Sequence, residues 1–133
     1  MTWTYKEETF DEALIEKNIG YVYLIVNKLT GRKYIGKKLF WFSKTRTVKG
    51  KKKREKIPSD WKEYWSSSDE LKKDVKELGE ENFTREILHL CPNKGMMSYI
   101  EAKLQFQHEV LENPDLWYNG VIQCRVHRSH VKK

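Results

Sequence analysis

Three strand signals and three amphipathic helical signals, in the order helix, strand, strand, helix, strand, helix, predict an α+β protein with a small three-stranded, mainly antiparallel sheet flanked by helices. The chain has 133 residues, 34% of them charged and 38% hydrophobic, which is enough for one compact core and too little for two ordinary domains. A single domain over residues 1–133 is therefore expected.

The elements follow in chain order. Phe10, Ala13, Leu14 and Lys17 recur at helical spacing among acidic residues, so residues 1–18 read as a leader helix that ends before Gly20. Residues 21–27, YVYLIVN, are β-branched and aromatic. A Gly-containing turn, KLTGR, and a second short run, KYIGKK, complete a β-hairpin signal. Residues 44–56, KTRTVKGKKKREK, hold eight basic residues and one acidic, without apolar periodicity, and read as a basic insertion in the form of a loop or mobile arm. Ser68 is a natural N-cap for the helix DELKKDVKEL, and Gly79 terminates it. NFTREILHL alternates and supplies the third strand. In the last helix Met97, Ile100, Leu104 and Leu111 mark one apolar stripe, which Asn113-Pro114 stops. Residues 117–126 contain a turn, with or without a final strand, and a basic tail occupies 123–133. Trp41, Trp61, Tyr64 and Trp65 read as core and rim residues.

Charge and cysteine content narrow the function classes. The 26 Lys and Arg against 19 Asp and Glu leave a formal charge of +7, which favours a polyanionic partner, nucleic acid ahead of an anionic membrane. Cys91 and Cys124 stand far apart, with neither a second pair nor a His cluster at zinc-ligand spacing, and fit reduced thiols in a cytoplasmic protein. The N-terminus lacks the apolar run of a signal peptide, and no window approaches the roughly 18 apolar residues of a membrane span.

The strongest local pattern is Tyr21-Val22-Tyr23 followed by Tyr34-Ile35-Gly36, with eleven positions from Tyr23 to Tyr34. A tight turn lays the second strand beside the first, so Tyr23 and Tyr34 can meet at one site. Taken alone, strand tyrosines read equally as packing residues. Two further features come in order: Glu101 within an apolar helix after the third strand, and Tyr118-Asn119-Gly120 near the end. On these residues the chain resembles the GIY-YIG nuclease family over roughly residues 19–122. The resemblance implies an endonuclease that hydrolyses phosphodiester bonds. By that resemblance Tyr23 orients or deprotonates the attacking water with Tyr34 assisting, Glu101 holds Mg²⁺ (or Mn²⁺), and Asn119 supports the site.

The family's arginine has no clear counterpart. Arg46 lies at about the right distance after Tyr34 but without helical surroundings, Arg54 is its rival, and Lys37 and Lys38 follow the YIG directly. Spacing favours Arg46. The expected partner is double-stranded DNA, gripped by Lys37, Lys38, Lys49, Lys51, Lys52, Lys53 and Arg54, and the alternative for the arm is a solubilising loop. One site per chain implies a homodimer or sequential nicks. A compact chain of this kind resembles those that bacteriophages encode for homing or for degrading host DNA, which places it in the host cytoplasm. A non-catalytic nucleic-acid-binding module on the same fold is the alternative, and a single-strand RNA binder lacks a supporting aromatic motif.

Overall fold

The computed structural model describes residues 2–131. Among these residues seven strands form a five-stranded sheet and a separate two-stranded ribbon, accompanied by two α-helices. The sheet has the order β2-β1-β7-β3-β4, with β1 Thr4–Tyr5, β2 Glu8–Thr9, β3 Gly20–Asn27, β4 Lys33–Leu39 and β7 Phe83–Cys91. The three predicted strands are its centre and one edge: β3 pairs antiparallel with both β4 and β7. The Thr30-Gly31 turn works as anticipated, since Gly31 takes φ +80° and its N–H donates to Asn27 O at 2.8 Å.

The sheet exceeds three strands because the chain start is extended rather than α-helical. Lys6 and Glu7 both adopt positive φ, 52° and 68°, and fold β1 back on β2 in a two-residue turn. β1 pairs parallel with β7, Thr4 opposite Glu86, and buries Trp3 and Phe10 in the core. Only Glu12–Lys17 is helical, as a 3-10 segment that Asp11 caps through a 2.9 Å bond from Ala13 N–H.

The basic insertion is also ordered, as β5 Trp41–Val48 paired with β6 Lys51–Pro58. Lys49 and Gly50 have φ 53° and 76°, so a two-residue turn with both residues left-handed matches the twist of the flanking strands. Thr45, Thr47 and Val48 supply β-propensity that the density of lysines obscures.

The helices match expectation more closely. In α1, Asp69–Leu78, the Ser68 Oγ accepts from Leu71 N–H at 3.2 Å and Gly79, φ 93°, ends the helix. In α2, Lys94–Gln107, the Asn93 side chain accepts from Met96 N–H at 2.8 Å. Leu111 falls beyond α2 and is exposed, so the apolar stripe ends at Leu104. No strand forms in 117–126 among the described residues; a single bridge between Lys33 and Trp117 fastens this segment to the outer edge of β4.

Period-two alternation along β3 divides the core into two layers. Tyr21, Tyr23 and Ile25 face Trp3, Phe10, Phe40, Trp61, Leu71 and Phe83 on the α1 side. Val22 joins Ile35, Cys91, Met97 and Val110 on the α2 side. Trp61 is buried in the first layer, with Trp41, Tyr64 and Trp65 packed at its margin, as the sequence suggests. No helix among the described residues is long and apolar enough to cross a membrane.

Candidate active site

Strand register explains how two tyrosines and a glutamate from opposite layers reach one another. Tyr23 lies opposite Gly36, and Tyr34 is two residues before Gly36, so both phenols project to the α1 side. Lys37 lies opposite Val22 and projects to the α2 side, where Glu101 stands on its helix. β4 is the edge strand, and Gly36 has no side chain to separate the two sides. A Cβ on Gly36 would sit 2.6 Å from Tyr23 Cζ and 2.7 Å from Tyr34 Cε1. The β3–β7 pairing shifts register between Val22 and Tyr23, where Leu88 is the extra residue on β7.

Around this edge Tyr23, Tyr34, Lys37, Ser67, Glu101 and Gln105 line a hollow of about 210 Å³. The Tyr23 and Tyr34 rings stack at 6.0 Å between centroids, and the Tyr34 hydroxyl lies 3.1 Å from Ser67 Oγ. The Lys37 ammonium donates to Ser98 Oγ at 2.9 Å and stands 3.9 Å from a Glu101 carboxylate oxygen. The Glu101 side chain is only 12% exposed. Burial therefore raises its pKa above the ordinary carboxylate value, and the Lys37 charge opposes that shift.

Burial also holds the Tyr23 phenol well above its ordinary value, reinforced by neighbouring Tyr34, Tyr64 and Tyr21. Tyr23 is accordingly a neutral phenol at physiological pH, and the phenolate needed for it to deprotonate water is disfavoured. Tyr34 is raised by burial too, with the Ser67 hydrogen bond working in the other direction.

Asn119 is buried away from the opening. Its Oδ1 accepts from Ile35 N–H at 3.1 Å and its Nδ2 donates to Ile35 O at 2.8 Å, which clamps the backbone between Tyr34 and Gly36. The neighbouring Tyr118 donates to Asp74 at 2.6 Å and accepts from Asn27 at 3.1 Å, tying the same segment to α1 and β3.

The arginine favoured by spacing does not line the hollow. Arg46 lies on the ribbon, where it pairs with Glu55 at 3.2 Å, and Arg54 lies exposed on the partner strand. Their strands run out from the body, so sequence distance from Tyr34 does not measure distance to the site. Lys38 projects to the α1 side, bonded to Asp60 at 2.6 Å and set 4.0 Å from the Tyr64 ring centroid. Lys49, Lys51, Lys52 and Lys53 are exposed on the ribbon. His108 ends α2 beside Trp117, with ring centroids 5.6 Å apart. Among the described residues, Lys37 is the cation that lines the hollow. Sequence reasoning missed Gln105 and Ser67. Gln105 is four residues after Glu101 and so shares its helical face, a signal that was available; Ser67 reaches the site only through tertiary packing.

Two phenols and the α2 carboxylate thus gather at one sheet edge of a small α+β fold, beside a backbone clamped by an asparagine. The family model described as "Putative endonuclease segE, GIY-YIG domain" matches residues 3–122, and the chain belongs to this GIY-YIG family. No curated protein and no solved structure shows significant similarity to it.

Proposed function

We propose that the chain is a divalent-metal-dependent endonuclease of double-stranded DNA whose chemistry takes place in the hollow at the β4 edge. The observation that carries this reading is the convergence there of Tyr23, Tyr34, Lys37 and Glu101. The donor set suits a hard cation, which takes oxygen ligands. Glu101 provides a carboxylate, and Gln105, one turn further along α2, has a buried Oε1 without a hydrogen-bond partner. The opposite end of that amide is fixed, since Nε2 donates to Ile35 O at 3.0 Å. Glu101 would hold the metal, with Gln105 as a second oxygen donor. A bound Mg²⁺ or Mn²⁺ would supply charge neutralisation at the scissile phosphate and stabilise the departing oxygen.

The chain's own groups divide the remaining work. Lys37 presents an ammonium to a non-bridging phosphate oxygen and offsets the charge that develops there. The Tyr34 hydroxyl, braced by Ser67, orients the attacking water. Tyr23, held neutral by burial and by its hydrogen bond to Tyr64, positions the Tyr34 ring by stacking on it. Asn119 is a positioning residue that acts through the Ile35 backbone. One such site per chain cuts one strand at a time, so a double-strand break requires a homodimer or two sequential nicks.

Supercoiled plasmid and Mg²⁺ provide the test. Nicked and linear products that EDTA and Glu101→Gln both abolish support the enzyme. A gel shift without any cleavage would instead make the chain a non-catalytic DNA-binding module.

A further inference from the structure

We propose that the β5–β6 ribbon is a duplex-reading arm that enters the major groove of DNA with the face formed by Ser43, Thr45, Thr47, Lys52, Arg54 and Lys56. The inference rests on reading the chain as a DNA endonuclease and concerns how that enzyme grips and selects its substrate.

Four observations lead to it. Among the described residues the ribbon pairs with no strand of the main sheet, and above its root its residues are exposed on both faces. The root is anchored: Phe40 is fully buried, Ser59 N–H donates to Phe40 O at 2.9 Å, and the Lys38 ammonium lies 5.0 Å from the Phe42 ring centroid. A two-stranded ribbon alone is marginally stable, and this root compensates for that. Lys38 directly follows Lys37, so β4 leads from the candidate active site straight into the arm.

Register then separates the faces. Cross-strand partners share a face: Ser43 opposes Lys56, Thr45 opposes Arg54, and Thr47 opposes Lys52. Beyond the root pair Trp41 and Pro58, this face carries only hydroxyls and cations. The other face holds Lys44, Arg46, Lys51 and Lys53, but also Glu55, which occupies the Arg46 guanidinium, and apolar Phe42, Val48 and Ile57. A carboxylate repels phosphate, and a guanidinium already paired is less available for a guanine edge. The hydroxyl and cation face is the one with free hydrogen-bonding capacity for base edges and phosphates.

Dimensions agree. Two strands about 4.8 Å apart fit a major groove roughly 12 Å wide. Eight residues at about 3.4 Å each make an arm roughly 25 Å long, several base pairs of reach. The deep, narrow major groove of duplex RNA would not admit it.

The experiment compares the unaltered chain with two charge-matched variants, Lys52→Gln/Arg54→Gln/Lys56→Gln and Lys44→Gln/Lys51→Gln/Lys53→Gln. Binding to a mixed-sequence DNA duplex is measured in EDTA across a salt series. Methyl green serves as major-groove competitor, netropsin as minor-groove competitor, and duplex RNA as rival ligand. The first triple variant should bind roughly 100-fold more weakly, with a salt slope shallower by about 0.9 for each phosphate that is no longer neutralised, and the second should weaken much less. Methyl green should displace the wild-type chain, while netropsin and duplex RNA should not. Equal weakening of the two variants, displacement by netropsin alone, RNA competition equal to that of DNA, or no DNA binding overturns the proposal. Cleavage with Mg²⁺ is scored separately. A chain that binds through this face but never cuts keeps the arm and loses the enzymatic reading; one that cuts while the first variant keeps wild-type affinity does the reverse.

Discussion

Replacing Gly36 with alanine places a methyl group where the two sides of the sheet meet. Its carbon would lie 2.6 Å from Tyr23 Cζ and 2.7 Å from Tyr34 Cε1, with the Tyr23 hydroxyl nearer still. Non-bonded carbons settle at about 3.5 to 4.0 Å, so one or both rings must retreat by roughly 1 Å. Tyr23 has nowhere to go: it is 1% exposed, and the rings of Trp3 and Tyr64 stand 5.3 Å and 6.0 Å from its own. Overpacking of this kind costs about 1 to 3 kcal/mol. At about 4 °C per kcal/mol for a chain of this size, the melting temperature should fall by roughly 4 to 12 °C. Cleavage should fall further, by about 100-fold, because a 1 Å misplacement of reacting groups costs on that order. The assays are thermal denaturation and plasmid nicking at saturating DNA. Combining Gly36→Ala with Tyr23→Phe removes the nearest clashing atom, so the stability cost of the alanine should shrink in that background. Wild-type melting and wild-type nicking in Gly36→Ala would refute the reasoning, as would an additive double variant.

Three more outcomes follow from the same geometry. Lys37→Ala should abolish nicking at saturating DNA while Arg46→Ala leaves it within about threefold; the reverse ranking in a turnover assay would return the catalytic cation to the ribbon. Burial raises the Glu101 pKa, so the folded chain holds that proton more tightly than the unfolded chain, and stability falls as pH rises from the ordinary Glu value through the raised one. Glu101→Gln should therefore lose metal binding and cleavage yet melt at or above wild type at neutral pH, with the pH-dependent part of the gap closing below about pH 4; a lower melting temperature at pH 7 would mean that the Lys37 pairing outweighs burial. Asn119→Ala leaves the buried Ile35 N–H without its partner and should cost about 2 to 4 kcal/mol by denaturant titration, with nicking reduced through misplaced Tyr34; a smaller loss would show that the clamp is dispensable.

Local chemistry was enough to read the β3–β4 hairpin, whose alternation and Thr30-Gly31 turn set the register that puts Tyr23 opposite Gly36. It was also enough for α1, between its Ser68 cap and Gly79, and for Glu101 on an apolar helix after the third strand. These features depend on neighbours a few residues apart, and their order along the chain carried the family resemblance. Three others depended on groups distant in sequence. Thr4 pairs with Glu86, so the chain start became a strand because β7 offered an unpaired edge, against the helical spacing of its own apolar residues. The ribbon's lysines hid its period-two pattern, since solvent surrounds both faces and no burial marks the alternation. The placement of the cations also depended on packing: Arg46 sits at the right sequence distance but on the ribbon beside Glu55, while Lys37 is brought to Glu101 by packing α2 against the edge strand. Sequence alone determined which chemical groups the protein carries and which short elements hold them. Tertiary structure decided which of those groups share a site, because charges act through space and the separation along the chain does not set that distance.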